Sequence, residues 1–189
     1  MARPRLRVVA GEARGRRLVA PPDARPTAAR VREALFGALG DAVVDAHVLD
    51  LYAGSGALAV EALSRGAAVA VLVDRDRAAV DACRRNLETT GYTDRARVEA
   101  ADVERVVAAP PPPEAPFDLV LCDPPYGRAE ALGSVLAALG RPGWLTAGAR
   151  LVLETATGVD PAVPPGFDVR SRRTYGDTLL TTVGPVRSP

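Results

Sequence analysis

Residues 50–59 read Asp50-Leu51-Tyr52-Ala53-Gly54-Ser55-Gly56-Ala57-Leu58-Ala59, and this stretch decides the fold. It continues an apolar run that starts at His47 and predicts a buried strand, and it leads into a helical pattern. Gly-x-Gly-x-x-Ala between a strand and a helix is the spacing of the cofactor-binding turn in doubly wound α/β folds. Glycine permits both the tight turn and the close approach of main chain to a ligand. A phosphate loop ending in Gly-Lys-Ser/Thr is excluded, because the chain has no lysine.

Strand and helix patterns alternate after this loop, which indicates an α/β doubly wound sheet. The predicted strands span 47–51, 69–73, 96–100, 117–122 and 150–154, with a closing antiparallel pair at 167–173 and 178–183. The predicted helices span 28–39, with Thr27 as N-cap, and 57–65, 77–89, 103–108 and 129–139. Two short segments at 5–9 and 16–19 predict a β-hairpin. We expect a basic arm at 1–22, one domain at 23–184 and a flexible tail at 185–189.

Charge is distributed unevenly along the chain. The 189 residues carry a net charge of +1, yet residues 1–32 hold nine arginines against Glu12 and Asp23, a net of +7 that leaves −6 for the remainder. A basic arm on a mildly acidic body is typical of proteins with nucleic-acid partners.

Other features of the composition exclude several classes of protein. Cys83 and Cys122 lack metal or redox spacing and His47 is the single histidine, so we expect reduced core thiols and no metal. No long apolar segment predicts a membrane span, and the arginine-rich start lacks the apolar region of a signal peptide. A cytoplasmic protein with no membrane partner is the expectation.

A second motif follows the fourth predicted strand, where Asp123-Pro124-Pro125-Tyr126 lies at the ligand-binding edge of the sheet. Two prolines remove two main-chain donors, so this turn offers acceptors and an aromatic face. Such a turn suits a planar group that bears an exocyclic NH2, with Asp123 and the Pro124 carbonyl accepting its two hydrogens and Tyr126 stacking on the ring.

The glycine loop alone fits either NAD or S-adenosylmethionine (AdoMet). Asp74, at the end of the second strand, is placed to accept hydrogen bonds from both ribose hydroxyls. Asp50 lies where it would repel a pyrophosphate but could meet a cationic amino-acid group, and Asp102 is placed for an adenine amino group. No Tyr-x-x-x-Lys pattern of a dehydrogenase is possible without lysine. These features favour AdoMet.

The residues resemble a class I methyltransferase and, more narrowly, the RsmD family of 16S rRNA (guanine(966)-N(2))-methyltransferases. The resemblance spans almost the whole chain. Its motifs are Arg7-Val8-Val9-Ala10-Gly11, Arg14-Gly15-Arg16-Arg17-Leu18, Arg25-Pro26-Thr27, Val31-Arg32-Glu33-Ala34-Leu35-Phe36, Asp50 to Gly56, Leu58 to Ala67, Asp123 to Tyr126 and Tyr175-Gly176-Asp177. The proline-rich loop at 110–113 departs from the pattern and looks like an insertion.

This resemblance implies a Rossmann-like, seven-stranded, mostly parallel sheet with an N-terminal β-hairpin. It also implies AdoMet as methyl donor and a guanine N2 amine of 16S rRNA as acceptor, within the small ribosomal subunit or its assembly intermediate. In-line displacement would then use the amine oriented by Asp123, without a covalent intermediate.

The predicted site residues fall into three groups. The catalytic group is Asp123, Pro124, Pro125 and Tyr126. The cofactor group is Asp50, Tyr52, Ala53, Gly54, Ser55, Gly56, Asp74, Arg75, Asp102, Val103 and Asp123. The RNA-binding group is Arg5, Arg7, Arg14, Arg16, Arg17, Arg25, Thr27, Arg30 and Arg32.

Three alternatives remain open from the residues themselves. The acceptor could be adenine N6 of DNA or RNA, or a glutamine amide of a protein, because each presents an NH2. The chain could be a noncatalytic RNA-binding or assembly factor on the same fold, although intact Asp50, Gly54, Gly56, Asp74 and Asp123 argue against it. An NAD-dependent oxidoreductase is the third alternative.

Overall fold

A computed structural model describes residues 6–22, 27–125 and 130–186. The helices are α1 (Ala29–Leu39), α2 (Ala57–Ser64), α3 (Arg77–Thr90), α4 (Val103–Ala108) and α5 (Ala131–Leu139). The strands are β1 (His47–Leu51), β2 (Val69–Asp74), β3 (Ala96–Ala100), β4 (Phe117–Cys122), β5 (Leu145–Ala156), β6 (Phe167–Tyr175) and β7 (Thr178–Pro185). Short 3-10 helices span Gly40–Val43 and Thr93–Arg95. In these residues, no helix is both long and apolar enough to span a bilayer.

The seven strands form one sheet in the order β3-β2-β1-β4-β5-β7-β6. Strands β1 to β5 pair in parallel, whereas β7 runs antiparallel to both β5 and β6. The Rossmann-like, mostly parallel, seven-stranded α/β fold expected from the sequence is therefore confirmed.

Alternating residues of β1 point to opposite faces of the sheet and build two separate cores. Val48 belongs to the core that α1, α2 and α3 cover, while Leu49 and Leu51 belong to the core that α4 and α5 cover. Because both faces are buried, the central strands are largely apolar, and this makes them recognisable in the sequence.

The strand register aligns the residues that follow four neighbouring strands. Leu51 pairs with Val73 and with Cys122, and Cys122 pairs with Leu153. The same edge of the sheet therefore holds the carboxyl ends of β1, β2 and β4. The residues of β5 that pair with the end of β4 lie at the same level.

The N-terminal segment differs from the predicted hairpin. The described residues 6–22 fold back on themselves, but a single antiparallel bridge between Arg7 and Arg17 replaces two strands. The reason is that the body of the protein takes several of the main-chain donors. Val9 N and Ala10 N donate to the Glu61 carboxylate at 2.8 and 3.0 Å, which leaves them unavailable for a strand ladder.

Side chains of the segment also pack into the domain. Val8, Ala13 and Leu18 are buried in the core under α1, α2 and α3. Asn86 of α3 accepts from Val19 N and donates to Val19 O, both at 2.8 Å. The segment is thus fixed along most of its length, while the division of the chain at residue 22 stays a prediction.

Element boundaries differ from the predictions mainly at two places. Strand β5 begins at Leu145 instead of residue 150, and its pairing with β4 is irregular between the partners of Phe117 and Leu119. Helix α5 begins at Ala131 instead of residue 129, which lies outside the described residues.

Both thiols are buried and reduced, as expected for core cysteines.

Candidate active site

A cavity of about 420 Å³ opens at the carboxyl edge of the sheet. It is lined by Tyr52, Gly54, Asp74, Arg75, Asp76, Asp102, Val103, Asp123, Pro124 and Pro125. Nine of these ten residues belong to the predicted catalytic or cofactor groups, and Asp76 is the addition. The structure therefore brings the predicted groups from four separate strand ends to one cavity.

The glycine loop forms a tight turn between β1 and α2. Tyr52, Gly54 and Gly56 all have positive φ angles, of 60°, 56° and 70°. A Cβ atom on Gly56 would lie 2.7 Å from Leu72 Cδ2 and 3.1 Å from Cys83 Sγ, so the turn can pack against β2 and α3 only with glycine there. Ser55 and Gly56 are buried beneath the turn and, like Ala53, do not line the cavity.

Asp74 holds the glycine loop in place. Its Oδ2 accepts from Gly54 N at 2.8 Å, and its Oδ1 accepts from Asp76 N at 2.9 Å. Each carboxylate oxygen has a second lone pair, so both can still accept from a ligand hydroxyl. The residue is half-buried at the cavity wall, which is the placement that a ribose-binding acid requires.

Asp102 lies at the start of α4, on the far side of the cavity. Its Oδ1 accepts from Glu104 N at 3.1 Å and its Oδ2 accepts from Arg75 Nη1 at 3.3 Å. Hydrogen bonds lower the pKa of the Asp102 carboxyl. The largest contribution comes from the Glu104 side chain, and the main chain of Glu104 and Arg105 adds to it. Asp102 thus provides an ionised acceptor at the cavity.

Asp50 does not reach the cavity wall. Its exposed fraction is 1%, and its Oδ2 accepts from Ala59 N at 3.1 Å inside the first turns of α2. Burial raises the pKa of the Asp50 carboxyl well above its usual value, and the charges of Asp123 and Asp74 raise it further. In the structure Asp50 orders the loop from beneath, and its direct contact with a cofactor stays a prediction.

Asp123 follows β4 and belongs to a polar group that the sequence did not predict. Thr27 Oγ1 lies 3.4 Å from Asp123 Oδ2 and 3.2 Å from Glu154 Oε2. Burial, followed by the charge of Glu154, raises the pKa of Asp123 to about 8, although the hydrogen bond from Thr27 opposes the rise. Burial also raises the pKa of Glu154. A signal for Glu154 was available, since it follows the apolar run 151–153 as Asp123 follows 117–122.

Thr27 is not the N-cap of helix α1, contrary to the sequence prediction. The N-cap is Ala28, with no side-chain cap, and the Thr27 hydroxyl is directed to the two carboxyl groups instead. This position joins Thr27 to the candidate catalytic group, while its contact with RNA stays a prediction.

Arg32 also differs from its predicted role as an RNA contact. Its exposed fraction is 1%, and its guanidinium donates to Thr27 O at 2.9 Å and to Arg7 O at 2.6 Å. An arginine that is enclosed and committed to main-chain carbonyls is not available to a phosphate. Its function in the structure is to connect the N-terminal segment with Thr27.

The other predicted RNA-binding arginines that the structure describes are exposed: Arg7, Arg14, Arg16, Arg17 and Arg30. Two of them also brace the fold, since Arg7 Nη1 donates to Gly15 O at 2.9 Å and Arg16 Nη1 donates to Thr89 O at 3.2 Å. Arg5, Arg25 and Tyr126 lie outside the described residues. Within the described part of the chain, no group of three or more metal-ligating side chains is present.

Comparison with known proteins assigns the family. Residues 6–184 match the family model described as conserved hypothetical protein 95. The chain is 38% identical over 175 residues to "Ribosomal RNA small subunit methyltransferase D" of Escherichia coli K12, covering 90% of this chain and 85% of that relative. The chain belongs to this family. It is the RsmD family that the sequence motifs resemble, and the chain is accordingly a methyltransferase.

Other members of the family and solved structures agree with this assignment. The methyltransferase D of Haemophilus influenzae Rd is 29% identical, with 93% of this chain and 91% of that relative covered. The E. coli protein yhhF superposes with a TM-score of 0.85 at 34% identity, covering 96% of this chain and 98% of that one. A hypothetical protein of Thermus thermophilus superposes with a TM-score of 0.75 at 36% identity, with 95% of this chain and 99% of that one covered.

Proposed function

We propose that this methyltransferase transfers the methyl group of AdoMet to the exocyclic N2 amine of a guanine in small-subunit 16S rRNA, of the guanine-966 type. The observation that carries the proposal is the meeting of Asp123, Pro124 and Pro125 with Asp74 in one cavity. An acceptor-only turn after β4 and the proposed ribose-binding acid at the end of β2 thereby lie on either side of β1. The relatives named as small-subunit rRNA methyltransferases supply the class of acceptor.

The charge of the cavity supports AdoMet as the donor. Four of the lining residues are acidic and one, Arg75, is basic. Such a lining favours a cation and disfavours the pyrophosphate of NAD. A volume of about 420 Å³ also lies within the range of small-molecule sites, roughly 300–1,000 Å³. Asp74 would hold the ribose and Asp102 the adenine amino group, beside the main chain of Gly54. AdoMet, when bound, supplies an electrophilic methyl group on a sulfonium.

The turn after β4 would orient the acceptor amine. The lone pair of guanine N2 is delocalised into the ring, so the amine is a weak nucleophile in its planar form. Asp123 and the Pro124 carbonyl would accept its two hydrogens and favour a pyramidal nitrogen that faces the methyl group. Positioning and electrostatics then supply the acceleration. Tyr126, outside the described residues, is proposed to stack on the target base, replacing part of the stacking energy that the base loses on leaving its helix.

The exposed arginines of the N-terminal segment would contact RNA phosphates. Arg14, Arg16 and Arg17 are exposed on a segment that Glu61 and Asn86 fix to the domain. A fixed basic surface loses less conformational entropy on binding than a mobile arm would. We propose that this surface sets the orientation of the rRNA, with the small subunit or its assembly intermediate as the physiological partner.

The test is transfer of labelled methyl from AdoMet to three acceptors: small subunits that lack the modification, free small-subunit rRNA, and genomic DNA. Label in rRNA supports the proposal and shows which ribosomal state is the substrate. Label in DNA alone, or in a protein glutamine, keeps the enzyme class and overturns the acceptor. A parallel thermal-shift measurement should show that AdoMet, and not NADH, raises the melting temperature.

A further inference from the structure

The Thr27 hydroxyl lies between two carboxyl groups, and this arrangement limits where protons can be. A hydroxyl has one hydrogen to donate, whereas Thr27 Oγ1 lies within hydrogen-bonding distance of Asp123 Oδ2 (3.4 Å) and of Glu154 Oε2 (3.2 Å). Two separate hydrogen bonds can form at once when one carboxyl group is protonated and donates to Oγ1, while the hydroxyl donates to the other carboxylate. The geometry therefore accommodates one proton shared among the three groups.

The fold keeps the three groups together. The pairing of Cys122 with Leu153 sets Asp123, which follows β4, beside Glu154, which lies within the adjacent strand β5. Thr27 is held from the other side, because Arg32 donates to Thr27 O at 2.9 Å. The contacts join residues 96 and 127 positions apart in the chain, so they depend on the complete fold.

The surroundings of the pair are acidic, which keeps the shared proton bound. Asp50 and the Cys122 thiol lie close enough for the charge of Asp123 to raise the pKa of each. Burial raises the pKa of both Asp123 and Glu154, while Thr27 lowers both and Thr178 lowers that of Glu154 through hydrogen bonds. Among the described residues, no cation contributes to the pKa shift of either carboxyl.

We propose that Asp123, Thr27 and Glu154 form a proton relay for the methyl transfer. The shared proton exchanges between Asp123 and Glu154 through Thr27 Oγ1, and methyl transfer proceeds from the state in which Asp123 is ionised and the proton is on Glu154. When N2 attacks the methyl carbon, the N–C bond forms and the C–S bond breaks with its electron pair left on sulfur. The N2 proton then passes to Asp123, while Glu154 releases its proton to solvent. Asp123 donates to Thr27 Oγ1 as the Thr27 hydroxyl proton moves to Glu154, which restores the starting state without a diffusing base.

This inference rests on the proposed function, yet it predicts a property of the protein without cofactor. Glu154→Gln removes the charge that raises the Asp123 pKa, so Asp123 should titrate at a lower pH than in the wild type. Thr27→Val removes the hydrogen bond that lowers the Asp123 pKa, so Asp123 should titrate at a higher pH. Both changes in the Asp123 titration are measured from carboxyl ¹³C chemical shifts of the cofactor-free protein. The shifts are followed from about pH 5 to 10, a range that brackets a raised carboxyl pKa. Exposed Glu88, replaced by Gln, is the matched control.

Single-turnover methyl transfer tests the relay itself. We expect Glu154→Gln and Thr27→Val to slow transfer at saturating AdoMet by about tenfold or more, below the full range for general acid–base groups. Thr27→Ser keeps a hydroxyl at the same position and should transfer at a rate close to that of the wild type. Rescue by serine separates proton transfer from simple packing.

The outcomes of the two measurements are separable. The relay is supported if Glu154→Gln and Thr27→Val displace the Asp123 titration in opposite directions. It is supported further if transfer is slow in Thr27→Val and recovers in Thr27→Ser. An Asp123 titration that neither substitution moves, or full transfer by Thr27→Val, overturns the relay and leaves the proposed function standing. Failure of the wild type to methylate any acceptor, despite a displaced titration, overturns the proposed function and the relay with it.

Discussion

Single residues carry most of the chemistry proposed for this protein, and Asp123 is the most important of them. It follows β4, lines the cavity proposed for the cofactor and shares the Thr27 hydroxyl with Glu154. Gly56 has an equally local structural role, because it allows the loop to pack closely against β2 and α3.

Replacing Asp123 with alanine should separate cofactor binding from transfer. Asp74 and Asp102 remain in place, so we expect the AdoMet dissociation constant to change little. Loss of one oriented polar group should slow transfer by about 10²-fold or more. Calorimetry and single-turnover assays measure the two quantities. A variant with wild-type turnover would remove Asp123 from the catalytic group.

Replacing Gly56 with alanine should destabilise the fold beyond the cost of its backbone angle. The new Cβ would overlap Leu72 and Cys83, and overpacking of this kind costs about 1–3 kcal/mol. Gly15 is the matched control, because its φ of 82° is similar and a Cβ there meets nothing within 4 Å. Urea denaturation gives the two free energies of unfolding. Equal losses in both variants would show that the close packing at Gly56 carries no cost.

At the scale of elements, the sequence was most informative where elements are buried on both faces. Strands β1 and β4 have the predicted bounds, and β2 differs by one residue, because largely apolar runs mark buried parallel strands. Edge strand β3 also has the predicted bounds, although it is only partly buried. The N-terminal segment was predicted less well. Its alternation resembles a hairpin, but its donors bind Glu61, which is 51 and 52 positions away in the chain. Such a tertiary partner leaves no local signal.

Glu61 should therefore control the order of the N-terminal segment. It accepts from Val9 N, Ala10 N and Arg65 Nε, and its exposed fraction is 0%. Glu61→Ala leaves these donors unpaired, at roughly 1–3 kcal/mol for each buried group. Hydrogen exchange at Val9 and Ala10 should become faster, while exchange in β4 should change only with global stability. Unchanged protection at residues 9 and 10 would show that other contacts hold the segment.

The candidate site shows the same limit of sequence reasoning. The glycine loop and the proline turn were recognisable because their chemistry is contained in a few consecutive residues. Glu154 was included in a strand and Thr27 was interpreted as a helix cap, since their pairing across the fold has no sequence signature. Arg32 was expected at the surface because arginine is rarely enclosed unless it is paired.

At the scale of the whole molecule, charge asymmetry distinguishes the proposed RNA-binding surface from the cavity proposed for the cofactor. The N-terminal segment exposes arginines, whereas four of the residues that line the cavity are acidic. This arrangement accounts for a net charge near zero in a protein that is proposed to bind a polyanion and a cationic cofactor.

RNA affinity should therefore depend strongly on salt. Each phosphate contact on a single strand contributes a slope of about −0.7 in a plot of log affinity against log salt. Arg14→Ala with Arg17→Ala should reduce the slope by about one to two units. Arg84→Ala is the control, because that exposed arginine on α3 pairs with Asp81. If the slope fell equally in the control, or did not fall in the double variant, Arg14 and Arg17 would not belong to the RNA-binding surface.

The proposed mechanism places the methyl group on the N2 amine of guanine. The most direct measurement is mass spectrometry of nucleosides from small-subunit rRNA after reaction with isotopically labelled AdoMet, with Asp123→Ala measured in parallel. We expect the wild type to give the label as N2-methylguanosine and the variant to give it about 10²-fold more slowly, or slower still. Recovery of the label as N6-methyladenosine, or in ribosomal protein, would contradict it.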